Sequence, residues 1–177
     1  MLRQLALAGA AGFILSACEH YGHDGDSGPK GANDTIDVTA AVKISRDSSG
    51  NFAFEYDAPF FDRKGNFDFS QDGAFGNAVN MSFEIADGSI DGLKFRSDPR
   101  DAIWIVEKEN VDPKTGSPAG PYRGQQFFNF RVSEDGRRLT LTDANNDGVL
   151  YRYGLRYDLG GEIVFDDPDG QNGGVRD

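Results

Sequence analysis

Apolar residues recur at every second position along most of this chain, and this spacing constrains the fold more than any other feature. A period of two places successive side chains on opposite faces of a β-strand, so that one face is buried and the other contacts water. The clearest example is the series Ile36, Val38, Ala40, Val42 and Ile44. No window after residue 18 has the apolar period of an amphipathic helix. The pattern predicts an all-β domain.

About eight strands are predicted, separated by clusters of Gly, Asp and Pro, and this arrangement is typical of a single antiparallel β-sandwich or an open barrel. The stretch at 102–107 is apolar on both faces, which is expected of a central strand. Segment 60–77 is predicted to be either a long loop folded over the sandwich or an irregular hairpin, and segment 110–125 is predicted to be a second long loop. The other predicted strands are centred on residues 36–44, 52–56, 79–85, 128–132, 139–141, 149–157 and 163–165.

The N-terminus has the features of an export signal. Arg3 is followed by an uncharged, apolar segment from Leu5 to Ala17, which is too short to span a bilayer. The residues Leu15-Ser16-Ala17-Cys18 resemble the lipobox of bacterial lipoproteins. That resemblance implies cleavage before Cys18, a diacylglycerol on its thiol and acylation, such as palmitoylation, of the new N-terminus. Glu19 follows the cysteine, so the resemblance favours the outer membrane.

Three regions are therefore predicted: a signal peptide at 1–17, a lipidated Cys18 with a flexible tether at 18–34, and a β-sandwich domain at 35–177. The tether is rich in Gly and Asp, a composition that buries too little apolar surface to order itself. The expected location is the outer membrane, on its periplasmic side or at the cell surface.

The end of the chain resembles the DP-EP family of small bacterial β-sandwich proteins. The resemblance rests on Tyr151-Arg152-Tyr153, then Asp167-Pro168, followed by Asn172 and Gly174. It implies an immunoglobulin-like or cupredoxin-like fold and no particular activity.

Residue types exclude several kinds of catalytic site from the predicted domain. The only histidines, His20 and His23, lie in the predicted tether, and Cys18 is the only cysteine. A Ser-His-Asp or Cys-His site, a blue-copper centre and a Cys/His zinc site therefore lack their essential side chains. The chain carries 29 acidic and 18 basic residues, for a net charge of −11, and this charge repels nucleic acid.

One segment matches the start of a calcium-binding loop. Asp143, Asn145 and Asp147, followed by Gly148, fit the pattern D-x-[DN]-x-[DN]-G, in which oxygens at alternate positions converge on the ion. The twelfth position is Gly154 rather than Glu, and the flanking residues are predicted strands. A tight β-hairpin turn is the alternative, and the sequence favours it.

The sequence as a whole favours a non-enzymatic binding or assembly module, with a membrane contact through its lipid and an envelope protein or polysaccharide as partner. No cofactor is expected, apart from calcium in the alternative of a calcium-dependent ligand-binding domain at Asp143, Asn145 and Asp147. A carboxylate-dependent hydrolase of envelope polysaccharide is a further alternative, since acids are abundant.

Overall fold

A computed structural model of the chain describes residues 34–174. The predicted signal peptide, Cys18 and residues 18–33 of the predicted tether lie outside this part. The described residues form eleven strands, a four-residue helix α1 (Pro99–Ala102) and a 3₁₀ turn (Lys108–Asn110). The strands are β1 (Thr35–Arg46), β2 (Phe52–Asp57), β3 (Phe67–Asp68), β4 (Ala78–Ile85), β5 (Lys94–Phe95), β6 (Ile103–Glu107), β7 (Phe127–Val132), β8 (Arg138–Asp143), β9 (Leu150–Leu159), β10 (Glu162–Asp166) and β11 (Asp169–Gln171).

The first sheet has five strands in the order β2-β1-β4-β8-β7. Its central pair, β1 and β4, is parallel, with Val38 opposite Met81, and the other pairs are antiparallel. Along β1 and β4 buried and exposed residues alternate, as the period of two predicts. One face of this sheet therefore packs in the core.

The second sheet is organised around β9, which pairs with four other strands. β10 and β11 pair with successive parts of one edge of β9, and β6 and β5 pair with successive parts of the other edge. β3 extends the sheet by a parallel pairing with β11. The two sheets pack face to face, so the predicted all-β sandwich is confirmed, and the described strands do not close into a barrel.

The core between the sheets is rich in aromatic side chains. The ring of Tyr153 on β9 lies 5.6 Å from that of Phe67 and 5.8 Å from that of Phe83, measured between centroids. All three side chains are nearly inaccessible to solvent. Each large aromatic ring buries much apolar surface. This burial stabilises the fold, whose described part contains no cysteine and so has no disulfide.

Several local predictions are wrong. The sheets are mixed rather than purely antiparallel, because β1 pairs parallel with β4 and β3 pairs parallel with β11. The short strands β3, β5 and β11 were not predicted, because two or three residues cannot display a period. By contrast, segment 60–77 matches the irregular hairpin that was one of its two predicted forms, since Phe61 and Phe67 form an antiparallel bridge. Phe67, Phe69 and Ala74 within it are buried.

The apolar strand at 102–107 is also placed differently from the prediction. β6 pairs with β9 alone among the described residues, so it is an edge strand rather than a central one. Trp104 on β6 is half-buried on the outer face of the sheet, with the guanidinium carbon of Arg156 3.9 Å from the centroid of its ring. Trp104 therefore makes a cation–π contact with an arginine on the outer face instead of packing between the sheets.

Within residues 34–174, no helix has the length and apolar character needed to cross a membrane.

Candidate functional site

The segment that resembles a calcium loop connects the two sheets. β8 belongs to the first sheet and β9 to the second, so residues 144–149 form a crossover and not a hairpin. The hairpin prediction is therefore wrong. Five polar residues lie at this crossover and form what we call the polar junction: Gln126, Asp143, Asn145, Asp147 and Asn172.

Asp143 is the most deeply buried acid of the polar junction, with 0% of its surface exposed. Its Oδ1 accepts hydrogen bonds from Gln126 Nε2 at 3.0 Å, from the backbone N–H of Asn145 at 2.8 Å and from Asn172 Nδ2 at 3.1 Å. Its Oδ2 is buried without a hydrogen-bond partner among the described residues. Burial raises the pKa of Asp143 to about 7; the nearby carboxylate of Asp147 also raises it, and the hydrogen bonds oppose the shift.

Asn172 brings the second acid of the junction close to the first. Its Nδ2 donates to Asp143 Oδ1 and also to Asp147 Oδ1, the latter at 3.2 Å. Asp147 Oδ2 accepts a hydrogen bond from the hydroxyl of Tyr151 at 2.6 Å. Asn172 is 1% exposed, and its Oδ1, like Asp143 Oδ2, is buried without a partner among the described residues.

Asn145 has a different role from the one predicted for it. Its Nδ2 donates to the carbonyl oxygens of Ala74 and Asn77 at 2.9 and 3.0 Å, and its Oδ1 accepts from the N–H of Gly173. Both ends of the amide are thus engaged with the backbone. Asn145 joins segment 69–77 to the C-terminal segment, and its φ of 48° is a left-handed conformation that asparagine tolerates.

The structure therefore brings together two of the three predicted calcium ligands. Asp143 and Asp147 share a donor, whereas the amide of Asn145 is committed elsewhere. Within residues 34–174, no three Asp, Glu, His or Cys side chains form a metal-binding group. Calcium binding stays a prediction.

Sequence reasoning missed Gln126 and Asn172 as members of the polar junction. Asn172 lies 29 positions from Asp143 and Gln126 lies 17 positions from it, so local spacing carries no signal for either. The segment after Asp166 is ordered through contacts that are equally distant in sequence, because residues 169–171 form β11 and pair with β9 and β3.

A second feature, the edge groove, lies beside β6. It is a cleft of about 440 Å³ between this strand and loop 119–124, lined by Ile105, Val106, Glu107, Asn110, Ala119, Gly120, Pro121, Tyr122, Arg123 and Gly124. Its walls thus include the second loop that the sequence analysis predicted.

The backbone of Ile105 faces away from β9. The N–H of Tyr153 donates to Pro168 O at 2.9 Å, on the β10 and β11 side of β9, and Ile105 is the residue opposite Tyr153. Residues of an antiparallel pair direct their N–H and C=O groups either towards each other or away from each other. The N–H and C=O of Ile105 therefore point to the free edge of β6, where the groove lies.

Tyr122 forms part of the groove wall and connects it to the polar junction. Its hydroxyl accepts a hydrogen bond from the backbone N–H of Gln126 at 2.9 Å, and its ring makes an edge contact with Phe127 at 5.1 Å. Phe127 in turn contacts the ring of Tyr151 at 4.9 Å. Of the aromatic residues near this loop, Phe127 is buried and Phe128 is 41% exposed.

No family model matches the chain, and no curated protein matches it.

Proposed function

We propose that this chain is a membrane-anchored lipoprotein of the bacterial envelope, whose β-sandwich is a non-enzymatic module that binds a partner polypeptide along β6. The anchor is supported by the apolar segment from Leu5 to Ala17 and by the lipobox-like residues that end at Cys18. Two or more acyl chains suffice for stable attachment to a bilayer, since each buried methylene contributes about 0.8 kcal/mol. The outer membrane, on its periplasmic side or at the cell surface, is the proposed location.

The edge groove is the single observation that carries the binding role. β6 is an edge strand, and the N–H and C=O of Ile105 point into the groove. An unpaired edge of this kind accepts an extended peptide as an additional strand, because the backbone groups supply the hydrogen bonds and adjacent pockets select side chains. Loop 119–124 forms the opposite wall of the groove.

The charge of the chain defines the partner further. A net charge of −11 favours association with a positively charged segment and disfavours nucleic acid or a strongly acidic polymer. We therefore propose an extended, basic segment of an envelope protein as the occupant. A polysaccharide is the alternative occupant, and it would use the polar lining of the groove rather than the backbone edge.

The anchor is tested by mass spectrometry of the chain purified from its native membrane. The expected N-terminus is Cys18 carrying a diacylglyceryl thioether and an amide-linked acyl chain. An intact initiator methionine, or a free thiol at Cys18, contradicts the anchor.

The groove is tested by photocrosslinking in intact cells. A photoreactive amino acid at Ala119, which lines the groove, is expected to give a discrete polypeptide adduct, whereas the same amino acid at the exposed Glu55 on β2 is not. The absence of an adduct at Ala119, or equal adducts at both positions, contradicts the proposed binding surface. A polysaccharide adduct at Ala119 contradicts the proposed class of partner.

A pair of substitutions at Gly120 provides the matched control. A Cβ at Gly120 has no neighbouring atom within 4 Å, and its φ lies outside the left-handed range, so a side chain fits there without strain. Gly120→Trp is expected to fill the groove and abolish the Ala119 adduct, while Gly120→Ala leaves it in place. An adduct that persists with Gly120→Trp, in a variant with an unchanged melting temperature, rules out the groove as the binding surface.

A further inference from the structure

Two buried oxygen atoms in the polar junction lack a hydrogen-bond partner among the described residues: Asp143 Oδ2 and Asn172 Oδ1. The residues that carry them are 0% and 1% exposed. A buried polar atom without a partner has lost its hydration without compensation, and the cost is larger if the group is charged. The two oxygens belong to side chains in contact, since Asn172 Nδ2 donates to Asp143 Oδ1, and each lacks a positively charged or donating partner.

The charges of the polar junction point to a cation. Asp143 and Asp147 both accept from one nitrogen atom, Asn172 Nδ2, at 3.1 and 3.2 Å, so their carboxylates are close neighbours. Their other side-chain donors are the neutral Gln126 amide and the Tyr151 hydroxyl, with no Arg or Lys bonded to either acid in the described part. The buried carboxylate of Asp143 and the partly buried carboxylate of Asp147 repel each other when neither has a basic partner.

We propose that Asp143, Asp147 and Asn172 bind one calcium ion. Asp143 Oδ2 and Asn172 Oδ1 are the ligands without another partner, and the carboxylate of Asp147 is the third. Carboxylate and amide oxygens are the ligands that calcium prefers, and its variable coordination number allows water or backbone carbonyls to complete the shell. The ligand set differs from the one predicted by spacing, because Asn172 takes the place of Asn145.

An ion at this position would hold three segments together. Asp143 ends β8, Asp147 lies in the crossover and Asn172 follows β11, so the ion joins the C-terminal segment to the connection between the sheets. Gln126 extends the effect to the edge groove, since its side chain binds Asp143 and its backbone N–H binds the Tyr122 hydroxyl. Calcium is thus expected to fix the Tyr122 wall of the groove.

Calcium titration of the purified full chain, after treatment with a chelator, tests the proposal independently of any partner. In a calorimetric titration we expect saturable heat with a stoichiometry of one calcium ion per chain. At a calcium concentration about 100 times Kd, the melting temperature should rise by about 5–10 °C. Terbium, which replaces calcium, is expected to show emission sensitised by the nearby Tyr151 and displaced by calcium. No heat, no terbium emission and an unchanged melting temperature overturn the proposal.

The location of the ion is tested with two variants of equal charge change. Asp143→Asn keeps the shape of the side chain but removes a negative ligand, and it is expected to lower calcium affinity at least tenfold. Asp91→Asn neutralises an exposed acid away from the junction and is expected to leave the affinity unchanged. Equal affinities in both variants would place the ion elsewhere. If Asp143→Asn folds poorly, the wild-type chain still tests the location of the ion, because terbium emission sensitised by Tyr151 requires an ion near Asp147.

Discussion

The hydroxyl of Tyr56 donates a hydrogen bond to Asp166 Oδ2 at 2.7 Å, and this bond joins the two sheets of the sandwich. Tyr56 lies on β2 at one edge of the first sheet, and Asp166 ends β10 at one edge of the second. Tyr56 is 4% exposed, and burial raises the pKa of its hydroxyl well above the usual value. The hydroxyl therefore stays protonated and continues to donate throughout the neutral range.

Loss of this bond is expected to destabilise the fold. Tyr56→Phe removes the donor and leaves a largely buried carboxyl group with one partner fewer, so the free energy of unfolding should fall by about 1.5–3 kcal/mol. Urea denaturation measures the change. Tyr157→Phe is the matched control, because the buried Tyr157 hydroxyl has no partner among the described residues and its removal should cost little or even stabilise. Equal losses in the two variants would contradict a stabilising role for the inter-sheet bond.

Asp166 should make stability depend on pH. Burial raises its pKa above the usual 3.8, and the hydrogen bond from Tyr56 partly opposes the shift. The folded state thus holds the proton more tightly than the unfolded state, so this contribution to stability is present below pH 3.8 and is lost as pH rises through the folded pKa.

Comparison of Asp166→Asn with the wild type isolates that contribution, because the amide does not ionise. Relative to the wild type, the free energy of unfolding of Asp166→Asn should increase as pH rises from 3.8 towards neutrality. Asp91→Asn controls for the change in net charge. If the difference in unfolding free energy between Asp166→Asn and the wild type does not change with pH, the folded and unfolded states bind the Asp166 proton equally.

The long strands could be predicted from the sequence, because their period of two is imposed by burial of one face. In β1 and β4 nearly every inward position carries an apolar residue, and the pattern survives over a complete strand. The placement of a strand within a sheet could not be predicted in the same way. Residues 103–107 are apolar on both faces although β6 is an edge strand, because Trp104 packs against Arg156 on the outer face.

The candidate sites were only partly predictable. Asp143 and Asp147 were found because the loop pattern places them four positions apart in one short segment. Asn172 reaches the same acids only after the chain has formed β9, β10 and β11, so its contribution depends on sheet topology. The edge groove likewise depends on which side of β9 is occupied by β6, and the sequence of β6 contains no information about that.

Asn145 should be among the most sensitive positions for stability. It is 0% exposed and its side chain satisfies backbone groups of Ala74, Asn77 and Gly173. Asn145→Ala leaves those groups buried without partners and is expected to lower the free energy of unfolding by about 3 kcal/mol or more. Chemical denaturation gives the value.

Asn145→Gly separates the side-chain contribution from the backbone contribution. Both variants lose the same hydrogen bonds, but glycine adopts the φ of 48° without steric cost, whereas alanine does not. Asn145→Gly should therefore be more stable than Asn145→Ala by about 1 kcal/mol. Equal stabilities would mean that the segment relaxes out of the left-handed conformation when the side chain is removed.

Gly154 in the middle of β9 should be constrained by the ring of Phe165. A Cβ built at Gly154 would overlap Cε2 and Cζ of that ring and lie 3.3 Å from the carbonyl oxygen of Asp166. Gly154→Ala is therefore expected to displace the ring and lower the free energy of unfolding by about 1–3 kcal/mol. Gly120→Ala, where the added atom meets open space, is the matched control and should have almost no effect.

A double-mutant cycle identifies the ring as the cause. In a Phe165→Ala background the added methyl group has room, so Gly154→Ala should cost little there and could gain up to about 1 kcal/mol from the lower backbone entropy of alanine in the unfolded chain. The expected coupling between the two positions is about 1–3 kcal/mol. Additive effects would mean that the Asp166 carbonyl, rather than the Phe165 ring, sets the requirement for glycine on β9.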